Sequence, residues 1–295
     1  MKASYKIQVP KASAFTINTS NDFIAMHTVT LAVAKRGVGK TTAFYNYMRL
    51  MKENNALDRL ILVSPTYHNN KHNFVGLPLD EDHDVLEPEK HTPELLMLML
   101  DQEGTDYDEY HAKMKKWLLL QKHLKSRIPI QQIDPDLLLE FGGDLRNFEK
   151  PIHKYNGKKP VIVILFDDCQ GSDLFKPSSK LSNLVIKHRH LGKTEDGALG
   201  CSLLFACQSY TASSNGLPKS IRTNLTHMLV FKNKSMVELD AISLEASGEV
   251  SKEQFFKLYD RAIIEPHDFL FIDFAKKASH PSMFRRNFNE WLIPE

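Results

Sequence analysis

Cysteine is scarce in this chain. Three occur in 295 residues, Cys169, Cys201 and Cys207, and none forms a C-x-x-C pair. All fall in or beside apolar runs, so they read as buried apolar side chains in a reducing compartment. No uninterrupted apolar stretch approaches a membrane span, which predicts neither export nor insertion. Charge of one sign is also lacking. The formal net charge of +2 is too small to argue for nucleic acid, so any such contact must be local. Internal repeats and low-complexity tracts are missing. What is present is a length that can bury one substantial core with room for a small accessory unit.

The chain carries one dense motif. Residues 34–42 read AKRGVGKTT and follow the β-branched run TVTLAV at 28–33. A strand, a glycine-bearing turn and Gly-Lys-Thr opening a helix form the P-loop arrangement for a nucleoside triphosphate. Gly37 and Gly39 let the backbone turn tightly and aim N–H groups at phosphate oxygens. Lys40 is expected to reach the β- and γ-phosphates, and the Thr41 hydroxyl to ligate Mg²⁺. The expected ATP-binding set is Lys35, Arg36, Gly37, Val38, Gly39, Lys40, Thr41 and Thr42. Ala34 departs from the pattern, standing where its first glycine belongs.

More than a hundred residues later, 161–168 reads VIVILFDD. A run apolar on both faces suits a central parallel strand, whose C-terminal acids are expected beside the P-loop. Asp167 is the expected Mg²⁺ partner. Asp168 is the candidate to orient or deprotonate water, since a base must lie near the nucleophile it activates. A solvated turn is the competing reading of the acid pair. A further strand, SLLFAC at 202–207, ends in Gln208, whose amide can both donate and accept and so can bridge water and γ-phosphate. Acids plus a polar sensor on the next strand suit ATP hydrolysis coupled to mechanical work.

Strands are predicted at 28–33, 59–64, 161–168, 202–207, 227–231 and 269–274. Helices are predicted at 40–53, 178–191, 236–246 and 252–262. This alternation implies one α/β domain over 1–295 with a mostly parallel sheet and right-handed crossovers. Residues 66–159 lack strong strand signals and are expected to form a helical insertion or lid on the sheet edge. Within it, 108–127 carries Lys113, Lys115, Lys116, Lys122, Lys125 and Arg127 with Trp117 among leucines. A solvated face over an apolar stripe is favoured there over a DNA-facing helix. His68, His72, His83 and His91 lack cysteine or a strict ligand spacing, which argues against zinc. In the tail, 276–295, Phe284, Phe288 and Trp291 recur at i, i+4 and i+7 near Lys276, Lys277, Arg285 and Arg286. Packing back onto the chain's own sheet is favoured there over an amphipathic anchor on a neighbour.

Taken in order, AKRGVGKTT, ILVSPTY (61–67), VILFDD, KHRHLG (187–192), LLFACQS (203–209) and LPKSIRTN (217–224) make the chain resemble viral genome-packaging ATPases of the FtsK–HerA superfamily. The likeness is to the type found in poxviruses, other large DNA viruses and virophages. It spans about 29–231 and is weak across the insertion. It implies a three-layer P-loop NTPase fold of the RecA/ASCE kind and an ATP- and Mg²⁺-dependent motor. Such a motor threads double-stranded DNA into a preformed capsid as a homo-oligomeric ring, with a capsid or vertex protein as partner. The expected setting is the host cytoplasm or the virion. By position, Lys40, Asp168 and Gln208 are catalytic, and Arg189 or Arg222 acts on a neighbour's nucleotide, neither having an evident local role in a monomeric site. Asp168 stands where many related motors have glutamate. Lys113, Lys115, Lys116 and residues near Lys219 are the DNA-contact candidates. Two other readings stay open: a small-molecule P-loop kinase, and a nucleotide-binding capsid scaffold with little turnover.

Overall fold

The computed structural model describes residues 24–141, 149–176, 178–211 and 217–295. In chain order its first half runs β1 (Val29–Val33), α1 (Lys40–Glu53), β2 (Arg59–Val63), α2 (Tyr67–Asn70), β3 (Val85–Leu86), α3 (Thr92–Lys125), α4 (Pro135–Glu140) and β4 (Ile162–Asp167). The second half runs α5 (Leu181–Lys187), β5 (Lys193–Thr194), β6 (Gly197–Ala198), β7 (Cys201–Cys207), α6 (Lys219–Arg222), β8 (His227–Phe231), α7 (Met236–Glu245), α8 (Lys252–Ala262), β9 (Phe269–Asp273), β10 (Phe284–Arg286) and β11 (Glu290–Leu292). Nine strands form one sheet in the order β11-β10-β9-β8-β1-β7-β4-β2-β3. From β8 to β3 every pairing is parallel, and β9, β10 and β11 add antiparallel at the other edge. The mostly parallel α/β sheet of a P-loop NTPase is therefore borne out.

Strand period two makes this a three-layer molecule. Leu60, Leu62, Val163, Leu165, Leu204 and Ala206 pack on one face with Phe44, Tyr47 and Met48 of α1. Their alternates, among them Ile61, Ile164, Leu203 and Phe205, meet Leu184, Ile242, Phe255 and Leu258 of α5, α7 and α8 on the other. Each such side chain contributes about 1.5–3 kcal/mol on burial, so both faces had to be apolar and the strands read as unbroken hydrophobic runs. α8 begins at a capping box, with Ser251 and Gln254 satisfying each other's backbone N–H groups.

Residues 66–159, expected to form an insertion, contain α3, 34 residues long, or about 50 Å. Leu96 and Leu100 of its first half join the sheet core. Leu120 of its second half packs on Ile133, Leu137 and Phe141, flanked by Trp117 and Leu124. Lys113, Lys115 and Lys116 are exposed, and Lys116 pairs with Glu140 at 2.7 Å. The 66–159 segment also holds β3, which pairs parallel with β2.

The tail is no helix. Its i, i+4, i+7 aromatics lie on β10, the following turn and β11, and Phe284 and Phe288 are buried. The segment packs back onto its own sheet. Arg285 and Arg286 turn inward: Arg285 lies 3.5 Å over the Trp291 ring and Arg286 pairs with Asp268 at 2.8 Å. All three cysteines are buried free thiols.

Candidate nucleotide site

The phosphate loop joins β1 to α1. Gly37 and Gly39 sit at φ 80° and 109°, a region that side chains with a Cβ rarely adopt, so glycine is required at both. Ala34 is not among the positive-φ residues and its N–H donates to Cys207 at 3.1 Å, so a methyl group is tolerated where the pattern has glycine. α1 starts with no side-chain cap and no acid in its first turn. Its first N–H groups and positive dipole end are therefore open to an anion.

Lys40 is buried, and its ammonium donates to the carbonyls of Ala34 at 2.7 Å and Lys35 at 3.2 Å. Burial lowers its pKa, while Asp168 and Asp167 pull it back up. Such a cation gains from a phosphate. Thr41 donates to both Asp167 carboxylate oxygens, at 3.0 and 3.2 Å. Burial, with Asp168 nearby, pushes the Asp167 carboxyl up to about 6, although Thr41 and Lys40 favour its charged form. A hydroxyl facing a buried carboxylate in need of positive charge is a hard oxygen set that fits Mg²⁺. Among the described residues no group of three His, Cys, Asp or Glu is placed to hold a metal. His83 and His91 instead pair separately with Asp80 and Glu89.

Spatial order matters here. β7 lies between β1 and β4, so Gln208 emerges between the phosphate loop and the acid pair. Its amide Nε2 is 3.5 Å from Asp168 Oδ1. Asp168 is half-buried with φ 54°, a left-handed conformation that Asp tolerates better than longer side chains. That gives a local reason for aspartate at this position.

Sequence reasoning missed Gln170. Its Oε1 accepts from the N–H groups of Gln208 at 2.6 Å and Ser209 at 3.1 Å, and its Nε2 donates to the Ser209 carbonyl at 2.8 Å. One amide thus pins the end of β7 to the turn after β4. An amide two residues past the acid pair was the only available signal. Also missed was the far wall of the cleft. A hollow of about 630 Å³ over the loop is lined by Lys40, Thr42 and Asp168 on one side and by His267, Asp268 and Phe288 on the other. A larger one, about 1130 Å³, lies between α3 and 151–154 and contains none of the phosphate-loop residues.

The two arginines separate. Arg189 is exposed, and its carbonyl lies against Gly200, just before β7. It therefore sits at the opposite end of the seven-residue β7 from Gln208, roughly 20 Å away at about 3.3 Å per residue. Arg222 is half-buried, with its guanidinium 5.6 Å over the Tyr210 ring. Neither Arg222 nor Tyr210 lines the hollow over the phosphate loop, so this contact gives Arg222 a packing partner outside the nucleotide cleft.

No protein-family model matches the chain, and no curated protein does. Several solved structures are similar. The genome-packaging NTPase B204 from Sulfolobus turreted icosahedral virus 2, in complex with sulfate, is 12% identical with a TM-score of 0.44, covering 92% of this chain and 100% of that one. EssC (ATPases 2 and 3) from Geobacillus thermodenitrificans is 12% identical at TM-score 0.43, covering 83% of this chain and 37% of EssC. VirB4 of Thermoanaerobacter pseudethanolicus is 11% identical at TM-score 0.40, covering 84% and 87%. At these identities and TM-scores the likeness carries no argument, and the phosphate-loop site stands on this chain's own residues.

Proposed function

We propose that the chain is an ATP-hydrolysing motor of the FtsK–HerA type that moves double-stranded DNA into a preformed viral capsid as a ring of subunits. The observation that carries the reading is the approach of Gln208 to Asp168 beside the Thr41–Asp167 pair. It sets a water-handling pair beside a phosphate-holding pair. Lys40 and the open start of α1 neutralise the phosphates. Thr41 and Asp167 would hold Mg²⁺, which would supply positive charge against the phosphates. Asp168 accepts a proton from the attacking water, and Gln208 orients that water by donating or accepting. Arg189, exposed and distant from its own site, is the better placed of the two arginines to serve a neighbour; Arg222 would first have to leave Tyr210. Delivery of a guanidinium across a subunit boundary can be worth roughly 10³–10⁵ in rate. The ring then docks on a capsid or vertex protein, in the host cytoplasm or the virion.

The test is phosphate release by the purified protein with and without duplex DNA, read beside its mass in solution. Hydrolysis raised by DNA in an oligomer is expected. DNA affinity should fall with salt with a slope near −0.9 per phosphate contacted and ignore duplex sequence. Phosphate transferred to a small acceptor, or binding without turnover, would overturn the motor.

A further inference from the structure

The cleft extends beyond the phosphates. On its far side, β9 and β10 bring two turns against the phosphate loop. His267 Nδ1 lies 2.8 Å from the Val38 carbonyl oxygen, which only accepts, so this nitrogen carries the proton. In that tautomer Nε2 is left as an acceptor. The same ring lies so close to Gly39 that a Cβ there would meet Nδ1 at 3.2 Å. Behind His267, Asp268 ties the turns together. It accepts from the Glu265 N–H at 2.8 Å, from Arg286 Nη2 at 2.8 Å and from Asn287 Nδ2 at 2.8 Å. Phe288 closes the floor, stacked on Tyr47 of α1 at 5.5 Å.

The cleft is therefore polarised. Arg36, Lys40 and the start of α1 make one end cationic. At the other end the charged groups, Asp268 and Arg286, satisfy each other. What remains there is the amide of Asn46, exposed on α1 one turn past Thr42, the His267 imidazole and Phe288. An inorganic polyphosphate gains nothing from such a wall. An uncharged heteroaromatic ring with its sugar does, through hydrogen bonds to an amide and an imidazole and through apolar contact. We infer that Asn46 and His267 contact the base and ribose of a nucleoside triphosphate, so that the C-terminal turns rather than the 66–159 insertion build the nucleoside half of the site. This rests on the nucleotide-binding reading above.

Both residues can be changed without threatening the fold. Asn46→Ala places a stronger helix former on an exposed helical position. His267→Gly suits a backbone held at φ 73°. The experiment is calorimetric titration of the wild type and both variants with Mg-ATPγS and with inorganic tripolyphosphate, with thermal melting as a check on folding. Each variant should weaken ATPγS by about 3- to 10-fold, as for one lost hydrogen bond, and leave tripolyphosphate unchanged. Asn46→Ala is the cleaner arm, because His267 also holds the Val38 carbonyl of the loop. A wild type that binds both ligands, with the two weakened equally or ATPγS unaffected in Asn46→Ala, overturns this assignment alone. A wild type that binds neither ligand refutes the nucleotide reading itself.

Discussion

Replacing Gln170 by alanine should separate catalysis from binding. The substitution deletes three hydrogen bonds, two from the N–H groups of Gln208 and Ser209 and one to the Ser209 carbonyl. At about 0.5–1.5 kcal/mol each the gross loss is a few kcal/mol. Gln208 is exposed, so water takes over part of the pairing, and a net cost of about 1–2 kcal/mol is expected. That corresponds to a melting temperature lower by roughly 2–8 °C. The larger effect falls on kcat. Gln208 would lose the anchor that holds its amide beside Asp168, and a loosened water-positioning group costs on the order of 10²-fold. Nothing in the change touches Lys40 or Thr41, so affinity for a non-hydrolysed analogue should hold. Gln170→Glu keeps both acceptor bonds and loses only the donor, so it should recover part of kcat. The assay is steady-state phosphate release with analogue titration and melting on the same preparations. An unchanged kcat alongside a lowered melting temperature would make Gln170 merely structural. Loss of analogue affinity matching the loss of kcat would refute the separation of roles.

Lys40→Ala should abolish nucleotide binding, whereas Asp168→Asn, which also tolerates the left-handed backbone, should bind normally and hydrolyse slowly; equal loss of affinity in both contradicts the roles given. Mixing Arg189→Ala with Lys40→Ala subunits should restore some hydrolysis in a mixed oligomer, and a monomer with full activity at every concentration speaks against a trans arginine. Asp273, facing His227 at 3.4 Å and His280 at 3.6 Å, has its pKa held below the usual 3.8: burial would raise it, but the His227 hydrogen bond and charge lower it further. Its contribution is therefore present above about pH 4 and lost as acid protonates it, so the stability gap between wild type and Asp273→Asn should close as pH falls through that range. A gap that stays constant down to pH 3 counts against this ion cluster.

The sequence by itself determined the elements whose signal is local. α1 and α8 begin and end where their periodicity and flanking residues predict, and β8 occupies the run 227–231 as read. The phosphate loop and acid pair were legible for the same reason, since glycine backbone freedom and a strand-end carboxylate are properties of short segments. Tertiary structure alone decided the rest. Phe284, Phe288 and Trp291 mimic a helical face, but β10 and β11 are three residues each, too short to show alternation, and pairing with β9 settled their conformation. The antiparallel entry of β9 beside β8 was equally invisible, because strand direction is a property of the pair. That pairing carries His267 to Val38, 229 positions away in the chain. The insertion of β7 between β1 and β4 likewise decided that Gln208 meets Asp168. A residue's chemistry is written locally, but which other residue it meets depends on the order in which strands bury their faces against one another.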